Sequence, residues 1–369
     1  MVAGVVVIYL SRLGAPMYTH ERTTLAAVAN TIAQVKHYEF ARRHDDAHNY
    51  CGNVFFVPDD TLMLDEALCL GIRSVNDLFG GVVPHPFVKT KSITHRLITS
   101  GADRPQGWSP VFAQRVRKVV LPGYSVFSAR DARIAATRML NRGAIRVKEA
   151  LGDGGRGQTL ITTARELNQL LEKCPLDEIS AYGLVLETNL RRVTTLSVGQ
   201  ITIDGFMITY HGTQRTATNN EGRPVYGGSH LVCVRGGWEA LDGLPMTPEL
   251  RIAVSQARSY DQAVSEYPGF LASRRNYDVA QGFDNEGQWR SGVLEASWRS
   301  GGASTAELTA LAAFVKSPEL QVVEASAVKE FGKGRNVPRG AIVHFRGDDP
   351  EDGPIVRYTV MTRALRQAA

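Results

Sequence analysis

The sequence predicts an α/β protein with separate α+β lobes. Three observations carry that expectation. Strand and helix patterns alternate through residues 1–86, a lysine-bearing strand runs into a glycine-rich turn at residues 152–157, and two carboxylates, Asp278 and Glu295, interrupt apolar strands around one tight turn. Alternation of strand and helix is the pattern of a parallel sheet with helical crossovers. Glycine clusters after a strand and acidic residues inside strands are departures from ordinary patterning, and such departures concentrate at functional sites.

At 369 residues, the chain is long enough for two or three lobes at roughly 100–200 residues each. Hydrophobic residues make up 43% and charged residues 21%, the composition of a folded globule rather than a disordered chain. Lys and Arg number 42 against 37 Asp and Glu, a net charge of +5. That mild excess suits an anionic ligand. No basic block interleaved with aromatics accompanies it, so nucleic acid is not an expected partner. The four cysteines, Cys51, Cys69, Cys174 and Cys233, form no C-x-x-C pair, which argues against zinc and for a reduced, cytoplasmic chain. The apolar start lacks a basic flank and a small-residue cleavage site, so it reads as a first strand rather than a leader. No run of about 18 apolar residues is present to span a membrane.

The elements follow in order. Residues 5–10 are a continuous β-branched run, a buried parallel strand. Residues 19–33 place Leu25, Val28, Ala29 and Ile32 on one helical face. A short strand at 53–57 and a helix at 65–70 complete the first lobe, which closes in the glycine- and proline-rich stretch 80–86. The spacing then predicts a helix over 91–99, a loop over 101–110, a strand over 116–121 and a helix over 129–140. A strand at 144–148 leads to the glycine turn. Thr163 with Glu166 reads as the capping box of a helix over 163–172, and 183–188 is an apolar strand. Asp204-Gly205 joins strands 194–203 and 206–210 as a hairpin. A long polar loop is expected over 212–229, then a strand at 231–234 and a helix at 248–267. Strands 277–282 and 288–296 flank the turn 284–287. The tail offers a helix at 306–314, a glycine-rich loop near 332–334 and a strand at 341–345.

Lys148 precedes Gly152, Gly154, Gly155 and Gly157, with Arg156 among them. Glycine permits positive φ and close backbone approach, so consecutive N–H groups can converge on phosphate oxygens, with lysine adding a point charge. No G-K-[ST] closes the loop and no helix starts on the glycines, which excludes a Walker A loop and a dinucleotide fingerprint. The bland alternative is a plain glycine turn between strands. In the acidic hairpin, pairing Asp284 with Gly287 sets Asp278 opposite Val293. Glu295 then lies diagonally on the same face, roughly 7–8 Å away, a span that one or two Mg²⁺ ions can bridge. The alternative there is two carboxylates facing water.

Together these features resemble the ATP-grasp superfamily, the fold of biotin carboxylase and D-alanine–D-alanine ligase. The resemblance runs from about Lys91 to Glu307. It implies an ATP-grasp fold preceded by a small N-terminal α/β domain, with units at 1–86, 87–190 and 191–369. It implies ATP and Mg²⁺, or Mn²⁺ in its place, as cofactors. Lys91, Lys148, Gly152, Gly154, Gly155, Arg156 and Gly157 would meet the phosphates. Glu187, Thr188 and Leu190 would form the adenine hinge. Asp278, Glu295 and Ser297 would hold metal, and Arg299 and Lys148 would act in catalysis, with Arg274 or Arg275 as further anion holders. The family's usual E-x-N is here Glu295-Ala296-Ser297, which leaves one or two metals open. The V-E-H stretch of biotin carboxylases is replaced by Ser300-Gly301-Gly302-Ala303-Ser304. The implied activity is an ATP-dependent, ADP-forming ligase that joins a small-molecule carboxylate to an amine or other nucleophile through an acyl phosphate. A homodimer is an open option. A non-catalytic ATP sensor and a phosphotransferase are the rival readings. The polar segment 214–230 is the candidate for substrate recognition. His20 and His95 stand out, His95 one turn after Lys91 as a candidate for the cleft with a structural histidine as the alternative, and Trp298 reads as core.

Overall fold

The computed structural model describes residues 3–11, 17–45, 47–152 and 157–366. The chain opens with β1 (Gly4–Tyr9), α1 (Thr19–Lys36), β2 (Glu39–Arg43) and β3 (Asn53–Pro58). β1 lies between β2 and β3, both parallel to it, so the β-branched run is buried on both sides as its composition requires. α1 presents Leu25, Val28, Ala29 and Ile32 inward. Next come β4 (Leu62–Met63), α2 (Leu64–Cys69) and β5 (Gly81–Val83). β4 and β5 form a second three-stranded sheet with the later strand β13 (Leu271–Ala272), which ties the first lobe to the last.

A compact four-stranded sheet follows, in the order β6-β9-β7-β8. Its chain order is α3 (Pro110–Val116), β6 (Gly123–Val126), α4 (Ala129–Leu140), β7 (Ile145–Glu149), β8 (Gln158–Ile161), α5 (Ala164–Leu171), α6 (Leu176–Tyr182) and β9 (Leu184–Thr188). The capping box of α5 is present: the Thr163 hydroxyl accepts from Glu166 N–H and the Glu166 carboxylate accepts from Thr163 N–H. α4 and α5 cover one face, closing a core around Val126, Ala135, Val147, Leu167 and Leu186.

The remainder builds an eight-stranded antiparallel sheet, ordered β15-β14-β10-β11-β12-β16-β18-β17. Its elements are β10 (Arg191–Ile203), β11 (Phe206–Thr218), β12 (Pro224–Arg235), α7 (Pro248–Ser265), β14 (Arg274–Phe283), β15 (Trp289–Ser297), α8 (Ser304–Lys316), β16 (Leu320–Phe331), β17 (Ile342–Asp349) and β18 (Gly353–Arg366). The β10–β11 turn uses Asp204 at φ 52 and Gly205 at φ 79, two left-handed residues whose twist matches that of the strands. One apolar core joins α1, α8 and the strands β10, β11, β12 and β16, so the N-terminal helix packs on the C-terminal sheet.

Three expectations change, and two long strands are new. Residues 91–99 form only a 3₁₀ turn at Lys91–Ile93. Lys91, Ser92, Ile93, Thr94 and His95 are all buried, so the segment has no solvent face and is held by tertiary contacts instead of its own ladder. Residues 116–121 are not a strand: Pro110 starts a helix that ends at Val116, and only Val120 bridges Val293. The supposed polar loop 212–229 is the long arms of the β11–β12 hairpin, with the turn closed by Asn219 N–H donating to the Arg223 carbonyl at 2.9 Å. β16 and β18 do not stand out as strands in the local pattern, because small and charged residues interrupt their alternation.

Candidate nucleotide and metal site

β7 and β9 pair antiparallel with Arg146 opposite Glu187, which puts Lys148 diagonal to Glu187 on one face. Lys148 Nζ and Glu187 Oε2 form an ion pair in which both side chains are 1% exposed. His95 Nε2 meets the other oxygen, Oε1, at 2.7 Å. Burial alone would push the Glu187 carboxyl up. Lys148 and His95 outweigh it and hold the group at about 2. Gly123 makes room for this triad: a Cβ there would lie 2.6 Å from the Leu186 carbonyl oxygen and 3.1 Å from His95 Cε1.

The glycine turn is described at its two ends. Glu149 N–H donates to the Gly157 carbonyl at 2.8 Å, and Gly157 takes φ 66, a left-handed conformation that glycine adopts without strain. Gly154, Gly155 and Arg156 lie outside the described residues. Lys91 donates to the Gly152 carbonyl and, at 3.0 Å, pairs with Glu295 Oε2. One ammonium therefore bridges the end of the glycine turn and the acidic hairpin, two features separated by more than a hundred residues of chain.

The hairpin register differs from the expected one. The ladder runs Phe283 with Trp289 up to Val279 with Val293, then slips at a bulge, so Asp278 faces Glu295 directly rather than diagonally. The bulge accommodates Leu294 and brings the carboxylates together. Asp278 Oδ1 accepts from Asn276 Nδ2 at 2.9 Å and from Ser197 Oγ at 3.2 Å, and Gln214 Nε2 donates to Ser197 Oγ at 3.1 Å. Burial first, and the Glu295 charge second, push the Asp278 carboxyl up to about 6. A part-buried carboxylate raised by a like charge is a donor set that a divalent cation would relieve, so these residues fit Mg²⁺. Ser297 stands opposite Asn276 one step further along, and its hydroxyl accepts from Arg274 Nη1 at 3.3 Å.

Other sequence candidates have structural duties. Arg274 is fully buried and grips Glu307 through two bonds of 2.9 and 2.8 Å. Its Nη1 also donates to the Arg299 carbonyl at 2.6 Å. Burial opposes the Arg274 charge, and Glu307 more than offsets it. Arg275 pairs with Asp261 at 2.9 Å. Neither arginine is available as an anion holder. The Arg299 guanidinium donates to the Ser300 carbonyl at 3.1 Å. In the hinge, Thr188 N–H already donates to the Pro122 carbonyl at 3.0 Å, while the Leu190 side chain joins Leu121 and Ala280 in a small apolar cluster. Trp298 lies in the core against Phe270. His20 is buried, with Nε2 3.0 Å from Asp352 Oδ2.

Ser197, Asn276 and Glu307 escaped the sequence reading as site residues, and Gln214 was expected to meet substrate rather than to brace the acidic pair. The period-2 rule could have flagged Asn276, which shares a face with Asp278. Ser197 and Gln214 reach the hairpin only through sheet order. Tyr210 donates to Glu307 at 2.6 Å and sits 3.0 Å from Asn276 Oδ1, linking β11, α8 and the hairpin in one buried network.

Solved structures share this architecture. N5-carboxyaminoimidazole synthetase from Staphylococcus aureus, in its ADP complex, is 12% identical, with 98% of this chain and 94% of that chain covered at a TM-score of 0.55. Biotin carboxylase from Campylobacter jejuni, in a β,γ-ATP complex, is 11% identical, with coverage of 96% and 87% and a TM-score of 0.53. Carboxyaminoimidazole ribonucleotide synthase from Aspergillus clavatus, complexed with ATP, is 11% identical, with coverage of 98% and 94% and a TM-score of 0.50. These likenesses identify the ATP-grasp fold. No curated protein sequence matches the chain. Among the described residues no helix is long and apolar enough to cross a membrane. A family model covers residues 8–359, and the chain belongs to the family described as "Protein of unknown function (DUF3182)".

Proposed function

We propose that the chain is an ATP-dependent ligase that binds Mg-ATP between the small sheet and the acidic hairpin and activates a small-molecule carboxylate for attack by an amine or other nucleophile. The observation that carries this reading is Lys91, whose ammonium touches both the Gly152 carbonyl and Glu295. A cation at that junction suits phosphates held between a glycine turn and a metal site. Mg-ATP would supply a transferable phosphoryl group, and the chain's own residues bind and orient it. Lys148 carries its charge at the base of the turn, kept in place by Glu187 and His95. Asp278 and Glu295 would hold the metal, with Ser297 further along the Glu295 strand and the Asn276 amide nitrogen steadying Asp278. Gly154, Gly155, Gly157 and Arg156 would close over the phosphates, and Arg299 would meet the anionic substrate. Thr188 and Leu190 would border the adenine. The units 1–86, 87–190 and 191–369 are proposed as the working lobes.

The test is a thermal scan with Mg-ATP, with ATP plus a chelator, and with Mg²⁺ alone. Saturation at 100 times the dissociation constant stabilises by about 2.7 kcal/mol. The expected result is a Mg-dependent shift in the wild type that Glu295→Gln loses. An equal shift in Glu295→Gln would remove Glu295 from the site. Because the Ser297 hydroxyl is held by Arg274, a sensor that binds without turnover is the second reading. Release of ADP on adding a carboxylate and an amine decides for the ligase.

A further inference from the structure

The candidate site holds two lysines, and their ion pairs differ. Lys148 and Glu187 are each 1% exposed, so that pair is sealed from water. Lys91 is 8% exposed and its partner Glu295 is 30% exposed, so the second pair is covered on the lysine side and open on the carboxylate side. A sealed pair resists exchange, because a lone partner would be left buried and charged. A pair with an open carboxylate holds less tightly and can be traded for another cation.

The backbone under Lys91 is fixed. Thr90 Oγ1 donates to the Phe87 carbonyl at 2.8 Å and accepts from Ser92 N–H at 3.2 Å. Thr94 N–H donates to the Lys91 carbonyl at 3.1 Å. What can move is the four-carbon stem, which carries an ammonium from one partner to another without shifting the main chain. That ammonium already has partners in two places: Glu295 Oε2 at 3.0 Å and the Gly152 carbonyl at the end of the glycine turn. The bulge in β15 sets Asp278 directly opposite Glu295. Among these three groups, two carboxylates and one ammonium leave a single negative charge. A divalent ion brings one positive charge more than that remainder, so the ammonium is the group to be released when such an ion binds the pair.

We propose that Lys91 is a placeholder cation: it occupies Glu295 as an internal counter-ion, and the carboxylate pair takes a divalent ion tightly only when the ammonium moves off Glu295 to an anion at the glycine turn. The identity of that anion, nucleotide phosphate, rests on the ligase reading above; the competition at Glu295 does not. The device makes the chain a poor binder of free metal and a good binder of metal that arrives with phosphate. Coupling of this kind is reciprocal, so anion and metal raise each other's affinity by one common factor, typically about 5- to 150-fold.

The experiment is a calorimetric titration of MnCl₂ into the full chain without nucleotide, with melting temperatures recorded in the same buffers. Wild type is compared with Lys91→Met, Lys91→Gln and Lys91→Arg. The two neutral variants are expected to bind Mn²⁺ about tenfold or more tighter than wild type. Lys91→Arg, which keeps the charge, should stay near wild type. Without metal, Lys91→Met should melt lower than wild type, and Mn²⁺ should raise its melting temperature by more than it raises that of wild type. Adding Glu295→Gln to Lys91→Met should abolish the gain. A lysine that only braces the fold gives the lower melting temperature without tighter Mn²⁺ binding, and that result overturns the proposal. So does equal tightening in Lys91→Arg, a gain that survives Glu295→Gln, or no Mn²⁺ binding by any variant. Mg-ATP titrated into the wild type reports the nucleotide reading separately. No response there, together with tighter Mn²⁺ binding in Lys91→Met, sinks the ligase and keeps the placeholder; the reverse pair of results does the opposite.

Discussion

Glu187 and Asp278 are carboxylates of one candidate site, and burial raises the proton affinity of both. Their acidities nevertheless diverge. Glu187 meets Lys148 and His95 and is held at about 2, whereas Asp278 meets Glu295 and rises to about 6. Burial sets the size of the stake, and the sign of the nearest charge sets the direction. The Glu187 cluster is complete in the protein alone. The Asp278 pair sets two carboxylates against one ammonium, Lys91 on Glu295 at 3.0 Å, and the second negative charge is what a divalent cation would balance.

The largest effect should come from breaking the complete cluster. Lys148→Ala leaves Glu187 buried with only His95, and removing one partner of such a pair costs about 3–5 kcal/mol. Urea unfolding at neutral pH measures this. Adding Glu187→Gln to the same chain should restore most of the loss. A single-variant cost below about 1 kcal/mol, the level of an exposed pair, would break the contrast.

Next in size is an opposed pH dependence in the metal-free protein. The Glu187 folded value is depressed, so its contribution is present above its ordinary value of 4.5 and is lost as pH falls toward about 2. The Asp278 folded value is raised, so its proton stabilises the fold at low pH, and that contribution is lost as pH rises from 3.8 through about 6. At 1.36 kcal/mol per unit, each window is worth about 3 kcal/mol. Asp278→Asn should flatten the upper window and leave the lower one. Millimolar Mg²⁺ should flatten it too, if the pair takes the ion. A wild-type stability that does not fall between pH 4 and pH 7 relative to Asp278→Asn would refute the assignment.

The smallest effect sharpens the comparison at the complete cluster. Gly123→Ala forces a Cβ to within 2.6 Å of the Leu186 carbonyl, backbone that cannot swing aside, at a cost of about 1–3 kcal/mol. Its melting temperature should fall even though no charge changes. A neutral substitution would mean the Glu187 triad tolerates more space than the contacts indicate.

Much of the fold was legible along the chain. β1, α1, α4, the α5 capping box and the Asp204-Gly205 turn rest on signals a few residues wide, and the structure carries them where those signals stood. Misses fell where distant contacts override local preference. Residues 91–95 look helical but are buried on every side, and the 212–229 segment looks like a loop because its arms are polar, though those arms pair with each other as β11 and β12. The hairpin register was off by a bulge, because a turn residue predicts pairing only until one residue slips.

Lys91 was singled out by the family resemblance; by itself the sequence determined the rest of the chemistry on offer: Lys148, the glycine turn, and the acidic strands with Asp278 and Glu295. Residue type and spacing of two or three positions carry that information, so no long-range geometry is needed. Only the tertiary structure decided which partner each group meets. Lys91 reaches Glu295 rather than solvent, and Arg274 is spent on Glu307. Those outcomes depend on sheet order and on segments far apart in sequence, and the charge that each buried group carries follows from the neighbour the fold supplies.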